Sequence, residues 1–333
     1  MEVQQLQSAT VDITLWILFG LFVGVALAVD LGAFNFLKRL KRSKQEVSES
    51  GKDPKLFRKA VIWTVVWISL AAIFAGIIFA NMGYDKMLEF VTAYTLEKSL
   101  SVDNMFVFLL IFSSLGIPHA YQHKVLSFGI ISAIAMRIPL ILVGVSLLES
   151  FHWMIYVFGG LLVFTAIRML VQRKEHKIEI EKNFSVRLLR KFVPISLEVK
   201  GDHFFIRQNE ILFATPMLVA LMIVEMTDLV FAIDSIPAVL AITSDPFIVI
   251  TSNIFAILGL RSLYFLLAGL MEKFYYLKPG LIALLFYIGV KMLVSEFFKI
   301  PIAMSLMIIF AILGTVIVLS IIKARKASRS VHN

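Results

Sequence analysis

Glu97-Lys-Ser-Leu-Ser-Val-Asp103-Asn104 and Asp228-Leu-Val-Phe-Ala-Ile-Asp234-Ser235 are two copies of one pattern, set 131 residues apart. Each reads acid, five residues, aspartate, then a small amide or hydroxyl, and each lies inside a long apolar run. A carboxylate at the centre of a bilayer costs about 2.5–3.5 kcal/mol on insertion scales. The same cost incurred twice in the same pattern calls for a reason, and binding or moving a cation is the first to consider.

The surroundings fix the class of protein. The 333 residues are 59% hydrophobic and 17% charged, with a mean hydropathy of +0.88, where soluble chains carry about 25% charged residues. Apolar stretches of about 20 residues recur, the length needed to cross a hydrocarbon core of roughly 30 Å. Barrel strands would be shorter and would alternate. We therefore expect an all-α polytopic membrane protein with about nine transmembrane helices, near residues 12–37, 60–80, 88–115, 123–148, 152–171, 211–243, 247–269, 279–297 and 301–322.

The net charge of +9 is distributed by topology. Segment 38–59 holds nine Lys/Arg, segment 172–210 nine and the tail 323–333 four; with Lys124, Lys273 and Lys278 they place 25 basic residues on one side of the weave. Only Lys86 and Lys299 lie on the other. By the positive-inside rule this puts the N-terminus outside and the C-terminus in the cytoplasm of a multi-pass cell-membrane protein. Basic charge used this way gives no support to a nucleic-acid partner. The first residues are neutral to acidic and the first span is too long for an h-region, so no cleaved signal is expected. Asp30 in that span faces either the bundle or the interface beside Lys38 and Arg39. The absence of cysteine removes disulfides, thiolate metal sites and cysteine nucleophiles.

The repeat extends beyond the acids. Arg137 in the fourth span matches Arg261 in the seventh, 124 residues on, and Ala166-Ile-Arg168-Met-Leu resembles Gly289-Val-Lys291-Met-Leu, offset by 123. Spans three to five (88–171) thus match spans six to eight (211–297). Three helices is an odd number, so the two copies insert in opposite directions, and inverted repeats place transporter sites near the midplane where they meet. Between them, linker 172–210 reads as a small cytoplasmic element, with His203-Phe-Phe-Ile-Arg and Glu210-Ile-Leu-Phe flanking a turn like a short hairpin. Segment 38–59 reads as a solvated loop.

Helix geometry sets a condition on any shared site. A six-residue step leaves the two acids of one motif about 240° apart and roughly 9 Å along the axis, whereas Glu225 and Asp228, three apart, share a face. Convergence is easiest if the helices are interrupted near Asp103 and Asp234. Pro237 strips the Ile233 carbonyl of its partner, and a sixth span of about 33 residues, near 50 Å if straight, also suggests a break. Carboxylates, carbonyls, Asn and Ser suit magnesium, calcium or manganese. The competing interpretation is internal salt bridging of Glu97, Asp103, Glu225, Asp228 and Asp234 with Lys98, Arg137, Arg261 and Lys291. Under the cation reading, Arg137 and Arg261 are counter-charges that hold an empty site. Gly159-Gly160 fits close helix approach better than phosphate binding. There is no Walker loop or His-Glu-x-x-His motif. An aspartyl intramembrane protease would leave Glu97, Asn104 and Asp228 unexplained, so no enzyme is expected.

Glu97-Lys-Ser-Leu-Ser-Val-Asp103-Asn104-Met-Phe-Val-Phe, Glu225-Met-Thr-Asp228-Leu-Val-Phe-Ala-Ile-Asp234-Ser235-Ile-Pro237-Ala and Ser252-Asn-Ile-Phe-Ala-Ile-Leu-Gly-Leu-Arg261 resemble the TerC family of integral membrane proteins. His203-Phe-Phe-Ile-Arg and Ala214-Thr-Pro216 fit its Alx-like branch. The resemblance implies a place among LysE-like transporters built from two inverted three-helix repeats. It further implies manganese export, and an association of the family with tellurium resistance. By position it implies metal-site residues Glu97, Asp103, Asn104, Glu225, Asp228, Asp234 and Ser235. No permanently bound cofactor is expected; the partners are a transported divalent ion such as Mn2+, the lipid bilayer and counter-transported protons, since carboxylates can trade a metal for protons. Two alternatives stay open. One is a membrane scaffold of a metal- or tellurium-stress response docking through 172–210, and the other is a transporter of another cation such as calcium. Sequence leaves the oligomeric state open.

Overall fold

The computed structural model describes residues 13–29, 54–171, 184–196, 201–208, 211–269, 276–298 and 300–330. Helix α1 covers Ile13–Val29. It is followed by α2 (Pro54–Met82), α3 (Tyr84–Ser114), α4 (His119–Ser150), α5 (Met154–Val171) and a short α6 (Phe184–Phe192). Then come β1 (Phe205–Gln208), β2 (Ile211–Ala214), α7 (Pro216–Leu240), α8 (Pro246–Ile257), α9 (Leu260–Ala268), α10 (Leu277–Leu293) and α11 (Ile302–Ser330). Asp30 and residues 38–53 lie outside the described residues, as do 172–183, 197–200 and 209–210.

A polytopic helical membrane protein is what these elements build. Among the described residues α2, α4, α5, α7 and α11 are each long and apolar enough to cross a bilayer, and α8 with α9, bent by 42°, is long and apolar enough as a pair, either as a broken span or as a re-entrant loop. Helices α1 and α10 are apolar but shorter, while the 31-residue α3 has its apolar run interrupted by Asp85, Lys86, Glu89, Glu97, Lys98 and Asp103. The outer faces present Ile73, Phe164, Leu170 and Met307, apolar surface that a lipid environment leaves without penalty.

Three boundaries differ from the sequence expectation. Pro54 starts α2, a position where a missing N–H costs nothing, so residues 54–59 are helical and not loop. The sixth span is shorter than its apolar run because Ile211–Ala214 is a strand. That strand pairs antiparallel with β1 in the register Phe205 to Ala214 and Gln208 to Ile211, the hairpin foreseen in the linker. Helix α7 then starts at Pro216, so the excess length called for no break in the membrane. The third difference is an interruption in the next crossing. Asp245 accepts from the backbone N–H groups of Phe247 (3.0 Å) and Ile248 (3.4 Å) and starts α8. Gly259 ends the helix with φ +84, against the Trp67 ring.

Packing follows a regular scheme. Helix α3 lies on α8, α4 on α7, and α5 on α10. The last contact is backbone to backbone: a Cβ on Gly289 would meet the Gly159 carbonyl oxygen at 2.9 Å, and one on Gly159 would meet that of Gly289 at 3.1 Å. Gly289→Val is therefore expected to lower stability by about 1–3 kcal/mol through overpacking. Gly160→Val, with no neighbouring atom within 4 Å of an added Cβ, should stay within about 0.5 kcal/mol. Thermal unfolding of both variants in detergent checks the order.

Two apolar clusters form the core. One gathers Phe74, Phe90, Leu96, Ile141, Val145, Ala232, Ile236, Phe255 and Leu285. The other gathers Met105, Phe112, Val125, Ile130, Met217, Val224 and Tyr264. Along α3, α4 and α7 the change from one cluster to the other falls mid-helix, and buried polar residues occupy that border.

Candidate functional site

Arg137 projects from the middle of α4 and is 1% exposed, with Glu97 (1%) from α3 and Asp228 (5%) from α7 around it. Its Nη1 donates to Glu97 Oε1. Its Nη2 donates to Asp228 Oδ1 at 2.9 Å and its Nε to Oδ2 at 3.2 Å, a two-point grip on one carboxylate. Nη1 also reaches Asn253 Oδ1 on α8 at 3.3 Å, and Ser235 Oγ donates to Glu97 Oε1 at 3.4 Å. One guanidinium thus ties together an acid from each copy of the repeated motif. Two carboxylates against one cation leave this buried group with a formal charge of −1. Glu97 Oε2, Ser101 Oγ and Asn253 Nδ2 are buried there with no hydrogen-bond partner, each at a cost of about 1–3 kcal/mol. Such a group offers unused oxygens and excess negative charge to an incoming cation.

One turn before Asp228, Glu225 points to the same side of α7, as the three-residue spacing requires. Ser132 on α4 donates to its Oε1, and its Oε2 is buried without a partner. Glu225, Asp228 and Arg261 line a cavity between α3, α4, α7 and α9, walled by Met105, Phe108, Gly129, Ala133 and Leu260. Arg261 also donates from Nη1 to Ser127 Oγ at 2.9 Å.

The other expected ligands are not drawn in. Asp234 accepts from Thr165 Oγ1 on α5 at 3.1 Å, on another face of α7 from Asp228. Asn104 is buried on α3. Asp103 lies within α3, and its side chain is outside the described residues. Among the described residues no group of three His, Asp or Glu stands close enough to share a metal ion. The expected interruptions at Asp103 and Asp234 are absent: α3 and α7 run unbroken through both, with Pro237 inside α7. The reason is that the acids of one motif never needed to converge. Arg137 takes one acid from each copy, and Asp228 and Asp234 point apart as an unbroken helix dictates.

Asn253, Ser101, Ser132 and Thr165 were not singled out from sequence as contributors. Ser252-Asn253 was the available signal, a polar pair in a twelve-residue helix otherwise apolar except for Thr251. The serines and threonine carried none, since hydroxyls are routine in membrane helices, where they bond back to the preceding turn as Thr92 and Ser99 do here.

Residues 82–328 match the family described as Integral membrane protein TerC family. A membrane protein of Myxococcus xanthus is 47% identical over 316 residues, covering 95% of this chain and 94% of its own length. Proteins of Salmonella typhi and Escherichia coli strain K12, both named as a candidate membrane-bound redox modulator, Alx, are each 40% identical. The first match covers 92% of this chain and 93% of the relative, the second 90% and 91%. No solved structure matches the chain. The match over residues 82–328 and the near full-length likeness to Alx proteins place this chain in the TerC family of integral membrane proteins.

Proposed function

We propose that this protein is a divalent-cation transporter, a manganese exporter of the cell membrane, working by alternating access around carboxylates from its two motif copies. The observation that carries the reading is Arg137 bridging Glu97 and Asp228. Two carboxylates from different helices around one buried cation form a place where a metal ion can replace the guanidinium. In the conformation described, Arg137 holds the site closed. When it withdraws, Glu97, Asp228 and Ser235 become first ligands and Glu225 extends the site into the cavity beside it, while Asp103, Asn104 and Asp234 join only in another conformation of the alternating-access cycle. Arg261 lines that cavity as a second counter-charge. A hard oxygen donor set accepts manganese, magnesium or calcium alike, and manganese is the cargo that the TerC resemblance implies. Protons are the exchange ion, taken up by carboxylates that the metal has left.

The architecture we assign has nine crossings, N-terminus outside and C-terminus cytoplasmic, with 88–171 and 211–297 as inverted repeats joined by the cytoplasmic linker 172–210. The packing scheme supports the pairing of the two repeats. The first helix of one repeat lies on the second element of the other in both directions (α3 on α8, α7 on α4), and the third helices α5 and α10 lie on each other. Gly159 and Gly289 bring the backbones of these two third helices into direct contact. The name carried by the Alx relatives fits a protein that sets metal supply, since this chain has no cysteine for thiol chemistry. We read it as a transporter without enzymatic activity or nucleic-acid partner, and the family's tellurium association as a consequence of metal handling.

Uptake into inside-out vesicles over a panel of Mn2+, Ca2+, Mg2+ and Zn2+ tests this. Wild type is expected to take up manganese, and Asp228→Asn to lose about tenfold or more, the effect of roughly 1.4 kcal/mol of binding. Manganese uptake by the Asn variant equal to wild type overturns the site. Uptake of calcium but not manganese by wild type overturns the cargo.

A further inference from the structure

Helix α3 holds α8 by both ends. At the start, Lys86 Nζ pairs with Asp245 Oδ2 at 2.9 Å, the same aspartate that caps α8. Twelve residues later Lys98 Nζ donates to the carbonyl of Ala256 at 3.1 Å and lies 3.4 Å from that of Leu258. Both oxygens belong to the interrupted end of α8. The last carbonyls of a helix have no intrahelical partner and carry about half a negative charge between them. Two features make this end permanent. Gly259 adopts φ +84, which lets the chain leave the helix, and Trp67 packs so closely that an added Cβ would lie 2.6 Å from its Cδ1. The next carbonyl, that of Gly259, accepts from the Leu263 N–H at 2.9 Å and from Ser262 Oγ at 2.8 Å, whereas the Ala256 and Leu258 oxygens accept from Lys98.

We propose that this interrupted end is a seat for a singly charged, ammonium-sized cation, which Lys98 fills from within. The donors are two neutral carbonyls with no carboxylate beside them among the described residues, which suits a monovalent ion, since divalent sites combine carbonyls with carboxylates. Ends of broken helices with unwound carbonyls are the usual coordination for monovalent ions inside membrane transporters. The seat is separate from the Arg137 site. Consecutive helical residues point about 100° apart, so Glu97 faces Arg137 while Lys98 faces α8. A shift of α3 that withdraws Glu97 would also lift the ammonium and leave the seat free for a cation from solution.

The test uses purified full-length protein in detergent, with Lys98→Met, Lys98→Gln and Lys98→Arg, read by thermal unfolding in potassium, methylammonium or choline chloride. The Met and Gln variants are expected to gain stability with potassium or methylammonium, roughly 2–4 °C for each tenfold above the dissociation constant. Choline, too large for the seat, should do nothing, and wild type and the Arg variant should show no such response. Accumulation of the Arg variant alone would also support the seat, because only a cationic side chain then suffices there. Neutral variants that match wild type without any cation response overturn it, as do a wild-type response equal to theirs or loss of all three variants. No flux is measured, so failure here leaves the manganese reading untouched, and failure of manganese transport leaves this seat untouched.

Discussion

Arg137→Met is expected to lose about 3–5 kcal/mol of stability, because removing one member of a buried ion group leaves its partners charged and unpaired. Glu97 and Asp228 are nearly inaccessible and would share that site with neutral groups such as Asn253 and Ser235. Replacing the whole group by Glu97→Gln, Arg137→Met and Asp228→Asn together should recover most of the loss, since exchanging an entire buried ion group for neutral residues is often close to neutral. The three changes are then strongly non-additive, as expected for residues in one network. Manganese should also restore part of the stability of the single Arg137→Met variant by taking the place of the guanidinium. Unfolding midpoints of the single and triple variants, with and without manganese, check each step. A single variant as stable as wild type would mean that Arg137 does not hold these helices together.

The second large effect is at the interruption. Gly259→Val places a β-branched residue at φ +84, a backbone cost of about 1–3 kcal/mol, and drives its Cβ into Trp67 at 2.6 Å, a further 1–3 kcal/mol or so of overpacking. The two parts separate by experiment. In a Trp67→Ala background the steric part should vanish and the backbone part remain. Gly116→Val, at the end of α3, offers a control, with φ +62 but no atom within 4 Å of an added Cβ, and should show the backbone part alone. Unfolding midpoints of the four proteins give the partition. Equal costs at Gly116 and Gly259 would show that Trp67 does not fix the break.

Glu97, Asp228 and Arg137 were legible as a group because charges inside apolar runs are costly unless paired or used. The identity of each pair was not, because α3, α4 and α7 bring residues 40 and 91 positions apart into contact, and spacing along one helix says nothing about its neighbours. Pro237 was a misleading sign. A proline in a membrane helix frees one carbonyl, which neighbouring groups can satisfy, and α7 continues through it. The real break is at Gly259, where the sequence offers one glycine in an apolar run. Gly144 looks the same and stays inside α4, against Leu240 and Ile236. What distinguishes Gly259 is Trp67, on a helix nearly 200 residues earlier. The hairpin is readable because its apolar strands flank a polar turn, yet its second strand reads equally as membrane because Ile211–Ala214 is as apolar as the helix it precedes.

Manganese binding to purified wild type, Arg137→Met, Glu97→Gln and Asp228→Asn, followed by the loss of the free-ion electron paramagnetic resonance signal, tests most directly whether both motif copies build one site. A single manganese bound by wild type, held more tightly by Arg137→Met, and lost in both carboxylate variants is the expected result. Undiminished binding in either Glu97→Gln or Asp228→Asn would contradict a site shared between the two copies.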